Sequence, residues 1–161
     1  MAPAMPLGKP SSILFVCLGN ICRSPMAEGV FRSMAQSKGF DKSTLIDSAG
    51  TGSWHVGNPP DTRAIAKAAE HGVDISELRA RQIAPGDFER FDLVLAMDQS
   101  NLETLQGRAP QAANARLHRF MSFALDEPLD VPDPYYGAAD GFETVYAMLE
   151  RGCSAMLERF S

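Results

Sequence analysis

The chain has 161 residues, 45% of them apolar and 22% charged, enough for one globular domain with a substantial core and too few for two. Its formal net charge of -5 speaks against a nucleic-acid binder, whose footprint is a basic face, yet leaves room for an anionic substrate held by a local positive field. Three cysteines are too few for a disulfide framework and suit a reducing cytoplasm; MAPAMPLGKPSS lacks the apolar stretch of a secretory signal, and no run approaches the ~18 apolar residues of a membrane helix.

Residues 1–11 carry three prolines and read as a flexible tail, leaving 12–161 as the domain. The continuous apolar run over residues 12–16 predicts a parallel strand covered on both faces. A helix is expected over 25–38, with Pro25 in its first turn, Met26, Val30 and Met34 on one face, and Gly39 as its stop. Residues 44–48 read as a weaker strand, followed by a long loop in AGTGSWHVGNPP. Asp61 can cap a helix running to about residue 71, stopped by Gly72. PGDFERF predicts a short helical piece, DLVLAM a second buried strand, residues 99–106 a helix, and ARLHRF a last strand of poor periodicity. After the loop DEPLDVPDPYYGAAD, one helical face carries Phe142, Val145, Tyr146, Leu149, Cys153, Met156, Leu157 and Phe160.

This alternation implies an α/β domain with a small parallel sheet of about four strands and helices on both faces. Ligands of such sheets bind beyond the carboxyl ends of the strands. The stretch CLGNICRS, residues 17–24, lies at that end of the first strand and opens the first long helix. Loop N–H groups and the helix N-terminus together favour an anion there. The stretch lacks a Walker motif, and in place of that motif's lysine it has Arg23, whose planar fork can grip two phosphate oxygens. Cys17, with Arg23 and Ser24 nearby, is in a setting that favours a thiolate, and so a nucleophile for covalent phosphoryl transfer. A zinc site would need two further ligands beyond Cys17 and Cys22; two buried structural cysteines would explain neither Arg23 nor Asn20. A Cys17–Cys22 disulfide formed under oxidation would be a reversible cap on the nucleophile. DVPDP offers Asp130 and Asp133 as candidate acids for a leaving group, and spacing alone does not choose between them.

VCLGNICRSPMAE resembles the C-x5-R-S signature of low-molecular-weight protein tyrosine phosphatases, bacterial branch, and DPYYG resembles their acid loop, in the same chain order. The resemblance implies Cys17 as nucleophile, Arg23 as phosphate clamp, Asp133 as general acid and base, and Ser24 as hydrogen-bond donor to the departing sulfur. Leu18, Gly19, Asn20, Ile21 and Cys22 complete the phosphate-binding loop by the same analogy. Ser48 and His71, with Asn20, match a polar network that supports that loop; for His71, complementing a helix C-terminus is an equal reading. Trp54 and Tyr135 match aromatic walls around the substrate ring, and Tyr135 and Tyr136 are candidate phosphorylation targets by analogy. The implied reaction needs neither metal nor organic cofactor, and the implied partner is a tyrosine-phosphorylated protein, a bacterial tyrosine kinase among the candidates, met by a monomer. Three alternatives stay open. Protein-arginine phosphatases of the same family usually carry threonine where this chain has Ile21. Arsenate reductases on this scaffold relay electrons through two further cysteines, where this chain offers only Cys153. A module that binds phosphate without turnover would not require Cys17, Arg23 and Asp133 together.

Overall fold

In the computed structural model, residues 10–39, 44–135, 137 and 140–160 are described. Four strands form one all-parallel sheet: β1 (Ser12–Cys17), β2 (Leu45–Gly50), β3 (Leu93–Ala96) and β4 (Arg116–Arg119), in spatial order β2-β1-β3-β4. Six helices accompany them: α1 (Arg23–Ser37), α2 (Thr62–Glu70), α3 (Asp87–Arg90), α4 (Gln99–Arg108), α5 (Phe120–Leu125) and α6 (Asp140–Arg159).

Every residue of β1 is buried, as its unbroken apolar run requires, and its side chains divide by the two-residue period of a strand. Ile13, Phe15 and Cys17 join the core under α1 and α6, whereas Leu14 and Val16 join Val94, Phe88, Phe91 and Leu105 on the opposite face. The apolar face predicted for α6 is buried at all eight positions from Phe142 to Phe160. Asp61 caps α2 by accepting from the Arg63 N–H at 2.8 Å, and Gly72 follows that helix with φ +77°, a conformation that costs glycine little.

Several boundaries differ from expectation. α1 begins at Arg23, two residues before Pro25, which its first turn accommodates because an N–H there has no intrahelical partner to lose. β2 runs on to Gly50, because Gly50 pairs with Cys17 and also bridges Gln82. The last strand stops at Arg119, and Phe120 starts a separate helix, α5, that the sequence reading did not contain. Residues 1–9 of the expected tail, and Tyr136, lie outside the described residues; Pro10 is buried, and the Ser11 N–H donates to Asp92 at 2.9 Å.

The chain leaves β1 toward β2 on one side and returns to β3 on the other. The order of strands therefore reverses between β1 and β3, and a crevice opens at their carboxyl ends. Cys17 ends β1 there, and Asp98 follows β3 there.

Candidate active site

Residues 17–22 join β1 to α1, and their backbone is held from outside. The carbonyls of Cys17, Leu18 and Ile21 accept from the N–H groups of Thr51, Gly52 and Asp61 at 2.9, 2.9 and 2.8 Å, and that of Cys22 accepts from Met26 at 3.3 Å. The negative ends of these peptide dipoles are thus turned away, and a loop so tied is a concavity for an anion. The Asn20 N–H points at the Cys17 sulfur, 3.3 Å away. Asn20 itself has φ 58°, the left-handed conformation that asparagine tolerates better than most residues.

The Asn20 side chain fixes the loop from below. Its Oδ1 accepts from the Arg81 N–H at 3.0 Å, and its amide nitrogen donates to Ser24 Oγ at 2.7 Å and Ser48 Oγ at 3.0 Å. The Ser48 hydroxyl in turn donates to Glu28 Oε1 at 2.7 Å. Ser24 Oγ, already accepting from Asn20, is 3.0 Å from Cys17 Sγ and 3.4 Å from the Ala49 carbonyl, so the sulfur is the nearer partner for its hydrogen. Burial pushes the Glu28 carboxyl above its ordinary value, against the opposing pull of Ser48 and Arg32. Sequence reasoning missed Glu28; its place one helical turn before Arg32 was the only local signal.

Arg23 is buried and its guanidinium is anchored on one side. Nη1 donates to Asp98 Oδ2 at 2.7 Å and to the Val131 carbonyl at 2.9 Å, while Nη2 lies 3.5 Å from Asp133 Oδ2. Burial works against the charge, but the Cys17 sulfur, Asp98 and Asp133 outweigh it and hold the guanidinium above the ordinary arginine value. Asp98 was not legible from the sequence. It accepts from Arg23 with one oxygen and caps α4 with the other, through the Asn101 N–H at 2.7 Å. An Asp98→Ala variant should therefore weaken binding of inorganic phosphate about tenfold or more, as expected for loss of a charge-assisted hydrogen bond. Titration calorimetry reads this directly; unchanged affinity would mean that the Val131 carbonyl alone orients the clamp.

The cleft above the sulfur has a volume of about 230 Å³. Its floor is Cys17, Leu18, Gly19, Ile21, Cys22 and Arg23, and its walls are Trp54, His55, Asp133 and Tyr135. Burial, followed by the charges of Asp61, Cys17 and Asp133, pushes the Cys22 thiol strongly up, so Cys22 stays protonated beside Cys17. All three cysteines are free thiols. Of the two aspartates of DVPDP, Asp133 lines the cleft, its Oδ1 accepting from the Tyr135 N–H at 3.0 Å, whereas Asp130 accepts from the Gln99 N–H and from Arg119. Trp54 is 71% exposed at the rim, in keeping with its glycine-rich loop. His55, unread in the sequence, packs over Gly19 and faces Tyr135 with ring centroids 6.3 Å apart.

Of the two readings of His71, the structure matches the helix C-terminus: it is the C-cap of α2, its ring stacks on Tyr146 at 4.3 Å between centroids, and its Nδ1 lies 3.8 Å from Glu150, away from the network under the loop. The end of α2 faces α6, so the position carried over from the resemblance falls on the wrong side, and Glu28 and Arg81 close the network instead. Among the described residues no group of three or more histidine, cysteine, aspartate or glutamate side chains is arranged to hold a metal ion.

Over residues 12–161 the chain matches the family described as low molecular weight phosphotyrosine protein phosphatase. It is 41% identical over 157 residues to the protein of that name from Gallus gallus, covering 96% of this chain and 99% of the relative. It is 42% identical over 147 residues to the low molecular weight protein-tyrosine-phosphatase YfkJ of Bacillus subtilis, covering 91% and 93%. Its fold is similar to a crystal structure of a protein tyrosine phosphatase from Entamoeba histolytica, with a TM-score of 0.85, 36% identity, and coverage of 91% and 94% of the two chains.

Proposed function

The chain belongs to the low molecular weight phosphotyrosine protein phosphatase family, and from that premise we propose that it hydrolyses phosphotyrosine in proteins, and simpler aryl phosphates, through a cysteinyl-phosphate intermediate. The observation that carries this reading is the convergence of the Cys17 sulfur, the anchored Arg23 guanidinium and the Asp133 carboxyl on one cleft.

In the first step the Cys17 thiolate attacks phosphorus in line with the ester oxygen. The S–P bond forms as the P–O bond to the ring breaks, and Asp133 in its acid form protonates the leaving phenolate. Arg23 and the loop N–H groups hold the three equatorial oxygens, where negative charge gathers. In the second step Asp133 takes a proton from water, the water oxygen attacks phosphorus, and the P–S bond breaks. Ser24, its lone pair engaged by Asn20, gives its hydrogen bond to the departing sulfur. A buried nucleophile under an aromatic rim favours the long reach of phosphotyrosine over phosphoserine. Ile21 on the floor offers a methylated surface to a phenyl ring and no hydroxyl to a guanidinium.

The partner is a tyrosine-phosphorylated protein, a bacterial tyrosine kinase among the candidates, and the working unit in this reading is a monomer. Free thiols support a reducing, cytoplasmic setting, and no helix among the described residues is long and apolar enough to cross a membrane.

Matched peptides carrying phosphotyrosine, phosphoarginine or phosphoserine, assayed side by side with a chelator present, test the reading. Phosphotyrosine should be released fastest, at a rate the chelator does not change. Faster release from phosphoarginine would reassign the substrate, and dependence on added metal would remove the mechanism.

A further inference from the structure

We propose that Gly52 is a specificity-determining residue that acts by giving the Trp54 indole its seat at the mouth of the cleft. A Cβ built on Gly52 would lie 1.8, 2.2 and 2.6 Å from Cζ3, Cε3 and Cη2 of Trp54, far inside van der Waals contact. The benzenoid edge of the indole therefore rests directly on the Gly52 Cα, in space that only the absence of a side chain provides. With 71% of Trp54 exposed, this contact with backbone accounts for much of what orients the ring.

The seat cannot easily retreat. The Gly52 N–H donates to the Leu18 carbonyl of the phosphate-binding loop at 2.9 Å. The neighbouring Thr51 N–H donates to the Cys17 carbonyl at 2.9 Å, and the Thr51 carbonyl accepts from Arg108 at 2.7 Å and Gln82 at 3.1 Å. A side chain at position 52 would thus displace the exposed ring rather than the bonded backbone. Gly52 is not among the glycines with positive φ, so alanine there meets no left-handed backbone strain, and the contact with the indole sets the effect of the substitution. The same backbone thereby links the indole to the loop that holds the phosphate, fixing the distance between aromatic rim and sulfur.

This inference rests on the reading of the cleft as a phosphotyrosine site and adds what holds one of its walls. The consequence is selective. Gly52→Ala should raise KM for a phosphotyrosine peptide about two- to tenfold, the size of one aromatic contact, and leave kcat and inhibition by inorganic phosphate near the wild-type values. Trp54→Ala should raise KM by at least as much, and the double variant should match Trp54→Ala alone, because the seat has no function once the ring is gone. Additive effects in the double variant, or an unchanged KM in Gly52→Ala beside a raised one in Trp54→Ala, would overturn the proposal. A Trp54→Ala variant with wild-type KM would overturn wall and seat together. Failure of the wild type to hydrolyse the peptide at all would instead remove the phosphatase reading beneath them.

Discussion

A Cys17→Ser variant should lose at least ~10⁴-fold in turnover of an aryl phosphate, the scale seen when a covalent nucleophile is removed from an otherwise intact site. It should still bind the phosphoryl group. The Arg23 clamp is held by Asp98 and the Val131 carbonyl, and the loop by Asn20, none of which depends on the sulfur. A hydroxyl at position 17 keeps polar contact with Ser24 and Asn20 but is a far weaker nucleophile than a thiolate. The expected pattern is therefore a collapsed kcat with affinity for a phosphotyrosine peptide within several-fold of wild type. Substantial turnover by the serine variant would end the covalent mechanism. Loss of binding in proportion to loss of rate would mean that the substitution damaged the loop instead.

The second large effect falls on Asp133→Asn, and its size depends on the leaving group. Phenolate departs reluctantly without a proton, so turnover of phenyl phosphate should fall ~10²–10⁴-fold, the usual contribution of a positioned general acid. A dinitrophenyl phosphate leaves without help, so its first step should change little. Asp130→Asn, by contrast, should act weakly on both substrates. That carboxylate is engaged by Gln99 and Arg119, outside the cleft, while Asp133 Oδ2 lies 3.5 Å from the guanidinium that holds the phosphate. A comparison of kcat/KM, which reports the first step alone, for the wild type, Asp133→Asn and Asp130→Asn on the two substrates reads this dependence. Equal losses of kcat/KM on both substrates in Asp133→Asn would reassign the acid.

What could be read in the sequence was whatever is encoded locally. β1 announced itself because a strand buried on both faces needs an unbroken apolar run, and α6 because eight side chains follow one helical face. The loop between β1 and α1 was legible because cysteine, asparagine and arginine between a strand and a helix have few other uses. α5 was not, because a six-residue helix has too little periodicity to separate from the strand that precedes it. Asp98 and Glu28 were missed for a different reason. Asp98 meets Arg23 across 75 positions and Glu28 meets Ser48 across 20, so their partners are made by the fold of the sheet. His71 shows the opposite hazard. A residue carried by position into a network was placed by tertiary packing against Tyr146 on α6. Gly52 and His55 stayed silent because a glycine-rich loop reveals flexibility in sequence, while their meaning lies in which ring covers which backbone atom.

The mechanism requires a phosphoryl group carried by the Cys17 sulfur, and rapid quenching of Asp133→Asn with a dinitrophenyl phosphate looks for it directly. That substrate needs no acid to leave, whereas release of the phosphoryl group from sulfur needs a base that the asparagine cannot supply, so the intermediate should accumulate. Intact mass and peptide mapping should find one phosphoryl group per chain, on Cys17, formed in a burst that matches the release of dinitrophenol. A burst with no phosphate on the chain, or phosphate on a residue other than Cys17, would contradict it.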